Sequence, residues 1–167
     1  MSAPIRVLVC DDQMLIRTGL VTIIGAQPGF EVVGECGDGR AAVDLAARLH
    51  PDVVVMDVRM PGTDGIEATR RIVASGNPVR VLILTTFDLD EYAFSGLRAG
   101  ASGFLLKDVP PEELLAGIRA VAGGDAVVAP FVLTATAISR SPWCTSTAVR
   151  LPRACLRAFV SASWTTR

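Results

Sequence analysis

Residues 53–65 read VVVMDVRMPGTDG. Four apolar residues run straight into Asp57, and a Pro-Gly turn follows almost at once. The run is continuously apolar rather than alternating, as is VLIL at 81–84. That pattern marks parallel strands covered by helices on both faces. A buried strand that ends on a carboxylate offers either a cap for the next helix or a chemical reagent. The flanking sequence has to decide between them.

Working outward, strand-like and helix-like segments alternate. IRVLVC (5–10) precedes QMLIRTGLVTIIG (13–25), whose apolar residues recur at helical spacing. EVVGEC (31–36) precedes GRAAVDLAARL (39–49), and VVVMD precedes GIEATRRIVAS (65–75). RVLILT (80–85) precedes LDEYAFSGLRAG (89–100), where Gly100 suits a helix C-cap. SGFLL (102–106) precedes PPEELLAGIRAVAGG (110–124), with Pro at its start and Gly at its end. Five strand–helix units with short connections and right-handed crossovers predict a doubly wound α/β sandwich. Ligands in such folds bind beyond the C-terminal strand ends, where the strand order reverses. For the order 2-1-3-4-5, that point lies between strands one and three.

Bulk composition is compatible with one ordinary domain. Of 167 residues, 50% are hydrophobic and 20% charged, which excludes a wholly disordered chain. No apolar run approaches the ~18 residues of a membrane span. The start, MSAPIRVLVCDD, runs into two aspartates and lacks the pattern of a secretory signal. Cys10, Cys36, Cys144 and Cys155 form no CxxC pair, so each is expected to be a small hydrophobe in a reduced, cytoplasmic setting. His50 is the only histidine and is taken as structural.

Three acids and a lysine stand at the expected strand ends. Strand one ends in Asp11-Asp12, strand three in Asp57 and strand four in Thr85-Thr86, and Lys107 follows strand five. If strands one and three are neighbours ~4.8 Å apart, three carboxylates crowd one crevice and at least one should resist ionising. A hard divalent cation removes that repulsion, and Mg²⁺ suits a site with few carboxylates plus water. Each residue alone has an ordinary explanation: a helix cap for Asp12, a solvated side chain for Lys107, a β-branched strand residue for Thr85. Their conjunction on one rim points to a site for a phosphoryl group.

These stretches carry a resemblance. VLVCDDQMLIRTGL, DVVVMDVRMPGTDGIEATRRI, VLILTTFDLDEY and LRAGASGFLLKDVPPEELLAGIR resemble the flavodoxin-like receiver domain of two-component response regulators, NarL/FixJ (LuxR-type) subfamily. The resemblance covers residues 4 to about 125. It implies that Asp57 is the phosphoacceptor, serving a sensor histidine kinase in a phosphorelay. It implies that Asp11, Asp12 and Asp57, with the backbone carbonyl of Arg59, hold Mg²⁺. Thr85 and Lys107 would stabilise the phosphoryl group. Thr85 would move toward it, letting the switch aromatic Phe104 turn inward and altering the face of helix four, strand five and helix five, through which receivers pair. Asp108 follows Lys107 as it does in the subfamily. Arg59 and Phe87 flank the site and could limit water access. Pro61 and Gly65 suit a loop that bends sharply beside the metal.

Two rivals explain less. GECGDGRAA holds G-x-G-x-x-A with Asp57 20 residues beyond Gly37, a weak dinucleotide-binding pattern that leaves Asp11, Asp12 and Lys107 without a role. A haloacid-dehalogenase-like phosphohydrolase wants an Asp two residues after the nucleophile, where this chain has Arg59.

Composition changes near residue 125. Residues 1–125 carry a net −6, and the last 42 carry +5 with five Arg and no acid. The expected division is a receiver over 1–125, then a linker start and an irregular, disordered basic tail over 126–167. The stretch after GGDAVVAP has no helix-turn-helix pattern, and a frameshift near residue 131 is the expected origin, the alternative being a genuine basic tail that touches nucleic acid or membrane phosphates. Sequence-specific DNA binding is therefore not expected of this chain, although full-length members of the subfamily bind DNA. No membrane partner is expected. The alternative output is a stand-alone receiver acting through protein contacts.

Overall fold

A computed structural model describes residues 2–86, 95–128, 149–152 and 154. In chain order the elements are β1 (Ile5–Cys10), α1 (Met14–Gly25), β2 (Phe30–Cys36), α2 (Gly39–Leu49), β3 (Val53–Asp57), α3 (Gly65–Ala74) and β4 (Arg80–Thr85). A helical segment described over residues 95–98 (α4) follows. Then come β5 (Gly103–Leu106), α5 (Pro111–Ala122), β6 (Asp125–Val128) and β7 (Val149–Pro152).

The strands form one sheet in the order β2-β1-β3-β4-β5-β6-β7. Every pair from β2 to β6 is parallel. The order reverses at β1, so the crevice between β1 and β3 is the expected binding point. The continuous apolar run of β3 is explained by its two faces. Val54 and Met56 join Leu8, Val81, Ile83 and Phe104 beneath Ala46, Ala68 and Ile72 of α2 and α3. Val53 and Val55 join Val7, Leu82 and Leu105 beneath Ile24, Ile118 and Val121 of α1 and α5.

Local chemistry sets the helix boundaries. Asp38 caps α2 by accepting from Ala41 N at 2.8 Å, and Asp64 caps α3 by accepting from Glu67 N at 2.8 Å. His50 ends α2 in the left-handed region at φ 47°, its N–H donating to Ala46 O, which is the structural role expected of it. Gly100 leaves α4 at φ 102°.

The sheet is wider than the five strands expected. After Gly124, at φ 94°, the chain turns back and Val127 and Val128 pair with Gly103 and Phe104 of β5. Ala126, Val127 and Val128 are buried, because the apolar run AVV closes the edge that β5 would otherwise expose. β7 then pairs antiparallel with β6, Val128 opposite Val149 and Asp125 opposite Pro152. An irregular chain from residue 126 is thus corrected at 126–128 and 149–152. Apart from residue 154, the rest of the tail, with its proposed frameshift point near 131, lies outside the described residues. So do Phe87 and residues 89–94 of the fourth expected helix.

Candidate functional site

Cys10 of β1 stands opposite Met56 of β3, so the residues that follow, Asp11 and Asp57, emerge side by side. Asp11 is 1% exposed and Asp57 5%, while Asp12 is exposed on the rim. One carboxylate oxygen from each of the three lies within 4.8 Å of the others. Asp12 does not cap α1, whose N-cap position is Gln13.

Asp11 is held through its backbone. Its N–H donates to Cys36 O at 3.0 Å, and its carbonyl accepts from Arg17 Nη1 at 2.7 Å. Its Oδ1 accepts from Gln13 N at 2.9 Å. Its Oδ2 is buried and pairs with Lys107 Nζ at 2.6 Å, a short charge-assisted contact. The same ammonium lies 3.1 Å from Asp57 Oδ1, and the lysine side chain is 9% exposed. The Lys107 N–H donates to Thr85 O at 2.8 Å, tying the start of the β5–α5 loop to the end of β4.

Burial pushes the Asp57 carboxyl above its usual range. The ammonium of Lys107 opposes that shift, and the charges of Asp11 and Asp12 add to it. A carboxyl that resists ionising was expected from like-charge crowding, but desolvation is the larger cause. Among the described residues, one ammonium is paired with two of three clustered acids, so negative charge remains in excess. This oxygen-only donor set fits a hard divalent cation.

Thr85 is buried at the end of β4, and its hydroxyl makes one long contact, 3.4 Å to Thr86 O. Arg59 is exposed beside the site. Phe104 is fully buried between Ile83 of β4 and Val128 of β6. In this structure β6 and the surrounding core enclose its ring.

Two glycines matter in ways their sequence context did not announce. A Cβ on Gly65 would lie 1.8 Å from Asp57 O, and one on Gly39 would lie 2.2 Å from Thr63 O. The sharp bend assigned to Gly65 occurs instead at Gly62, φ 74°, while Gly65 permits α3 to start against the backbone of Asp57. Gly39 also disposes of the dinucleotide reading. Its N–H donates to Thr63 O at 3.1 Å and Ala41 N to Asp38, so the α2 amides that a pyrophosphate would need are engaged. Arg17 was likewise missed, since nothing in the spacing marks it as a donor to Asp11.

Comparison with known proteins gives a consistent picture. Residues 7–119 match the model of the response regulator receiver domain. The transcriptional regulatory protein YxjL of Bacillus subtilis (strain 168), whose function is uncharacterised, is 50% identical over 123 residues, 74% of this chain and 56% of its own length. The nitrate/nitrite response regulator protein NarP of Escherichia coli (strain K12) is 41% identical over 126 residues, 75% of this chain and 59% of its own. A LuxR-family two-component response regulator from Aurantimonas sp. SI85-9A1 superposes with a TM-score of 0.73 at 35% identity, covering 79% of this chain and 94% of that one. The chain spans little more than half the length of the curated relatives it matches.

Proposed function

This chain belongs to the response regulator receiver domain family, and we propose that it accepts a phosphoryl group on Asp57 from a phosphohistidine of a sensor histidine kinase. The observation that carries this reading is the convergence of Asp57, Asp11 and Lys107 within ion-pair distance at the strand-order reversal. Lys107 holds Oδ1 of Asp57, leaving the second carboxylate oxygen to attack phosphorus. The bond from phosphorus to the kinase imidazole breaks, and the imidazole nitrogen leaves with its electron pair. Transfer of this kind needs chiefly positioning and charge neutralisation. The rigid β3 strand supplies the first and Lys107 part of the second. Mg²⁺, held by the carboxylates of Asp11, Asp12 and Asp57 and the carbonyl of Arg59, would neutralise the remaining charge.

Thr85 would donate its hydroxyl to the transferred group, and Lys107 would pair with it. The receiver occupies residues 1–125 together with the rest of β6, which extends its sheet, and the remaining tail follows. Phe104 reports the state of the site by shifting within its enclosed pocket. Copies pair through α4, β5 and α5; because the outer edge of β5 is taken by β6, contacts from the two helices dominate. The relatives are named as transcriptional regulators; the activity proposed for this chain is that of the phosphoacceptor switch, without sequence-specific DNA binding of its own.

Borohydride reduction of the phosphorylated chain tests the acceptor directly. An aspartyl phosphate at Asp57 becomes homoserine at that position in peptide maps. A phosphoryl group that survives base and maps elsewhere would refute the assignment.

A further inference from the structure

Cys10 and Cys36 end two neighbouring parallel strands and stand opposite each other. Both are free thiols. Both belong to the core cluster on one face of the sheet, so their side chains point the same way. The pairing is not automatic. Val7 lies opposite Val32, which would carry Cys10 to Glu35, but the register shifts between Val7 and Leu8, setting Leu8 against Gly34 and Cys10 against Cys36.

We propose that Cys10 and Cys36 form a reversible disulfide that acts as a redox-controlled clamp beside the acidic site. Neighbouring strands lie about 4.8 Å apart, inside the usual Cα range of disulfides, about 4.4–6.8 Å. Cβ atoms of parallel neighbours are about 1 Å farther apart than the ~3.8 Å a relaxed disulfide prefers. Closing the bridge must pinch the ends of β1 and β2 together, which makes it easily reduced. That is the behaviour of a regulatory bridge in a reducing compartment rather than of a structural one.

The oxidant is hydrogen peroxide. Cys36, 9% exposed against 1% for Cys10, is the sulfur it reaches first. The sulfur takes one peroxide oxygen, giving a sulfenic acid and releasing water. The Cys10 sulfur then displaces that hydroxyl group, which leaves with the Cys10 proton as a second water. Two thiols are oxidised to one disulfide, and one peroxide is reduced to two waters.

The bridge would act on the site through the backbone. Asp11 directly follows Cys10, and its N–H donates to Cys36 O. Pinching these strand ends shifts Asp11 against Lys107 and Asp57. Bridge formation is independent of phosphoryl acceptance; its effect on the site rests on that reading, and the two are measured separately.

The test uses the full chain with Cys144→Ser and Cys155→Ser, removing other thiol partners. The folded chain is treated with hydrogen peroxide, alkylated and mapped by mass. The expected product is a Cys10–Cys36 linked peptide, lighter by two hydrogens and lost on adding dithiothreitol. Alkylated Cys10 and Cys36 after treatment, or sulfinic acid at Cys36 without linkage, overturns the proposal. In a second arm, phosphorylation by a small phosphodonor is expected to slow about tenfold on oxidation and recover on reduction. Cys36→Ala should abolish that sensitivity, with Cys10→Ala serving if the first variant does not fold. A linked peptide with an unchanged phosphorylation rate would leave the disulfide standing and overturn the clamp.

Discussion

Lys107 Nζ lies 3.1 Å from Asp57 Oδ1, with the lysine side chain 9% exposed and Asp57 5%. An ammonium so little hydrated is held there by its carboxylates, and it also meets Asp11 Oδ2 at 2.6 Å. The pair supplies the cation that lets buried acids face one another, and it sets the expected response to several changes.

Replacing Lys107 by Met should destabilise the fold at neutral pH by roughly 3 kcal/mol, since removing one partner strands buried charge. The loss should narrow in acid, where the freed carboxyls protonate. Urea denaturation at two pH values measures it. Equal losses at both would mean that the lysine stem, rather than its charge, is what the fold uses.

Asp57→Asn should raise the midpoint of thermal unfolding at neutral pH. Burial, the largest influence, raises the folded-state pKa of Asp57 above its usual value. Between the unfolded and folded values the native state binds more protons, so stability falls as pH rises through that window. Below the usual aspartate range both states are protonated and the advantage of Asn should vanish. A variant less stable than wild type at neutral pH would show that the Lys107 contact outweighs desolvation.

Mg²⁺ should stabilise the wild type by about 2.7 kcal/mol at a hundred times its dissociation constant, and chelation should reverse it. Asp11→Asn removes one of the three clustered carboxylates and should flatten this response. Retained stabilisation in that variant would move the cation elsewhere.

Gly65→Ala should cost about 3 kcal/mol or more, at the upper end for overpacking, because its Cβ would overlap the Asp57 carbonyl. Gly62→Ala meets no neighbour and should cost less, through its positive φ alone. Comparable losses at the two positions would contradict the close approach of α3 to β3.

Much of this architecture was legible in the sequence. Asp57 and Lys107 each follow apolar runs that could only be buried strands, so the sheet delivers them to one rim. What stayed hidden depends on tertiary register. Cys10 and Cys36 each suited a core hydrophobe, and only the shift after Val7 brings them together. Gly65 resembled a turn residue because the carbonyl it must clear is eight residues away in sequence. β6 escaped notice because AVV sits where the composition turns basic, and with it went the full enclosure of Phe104.

The most direct measurement is an intact mass after incubation with Mg²⁺ and a small-molecule phosphodonor, taken beside Asp57→Asn. A phosphoacceptor at Asp57 requires the mass of one phosphoryl group to appear on the wild type alone. No gain in a folded wild type, or an equal gain in both chains, would contradict it.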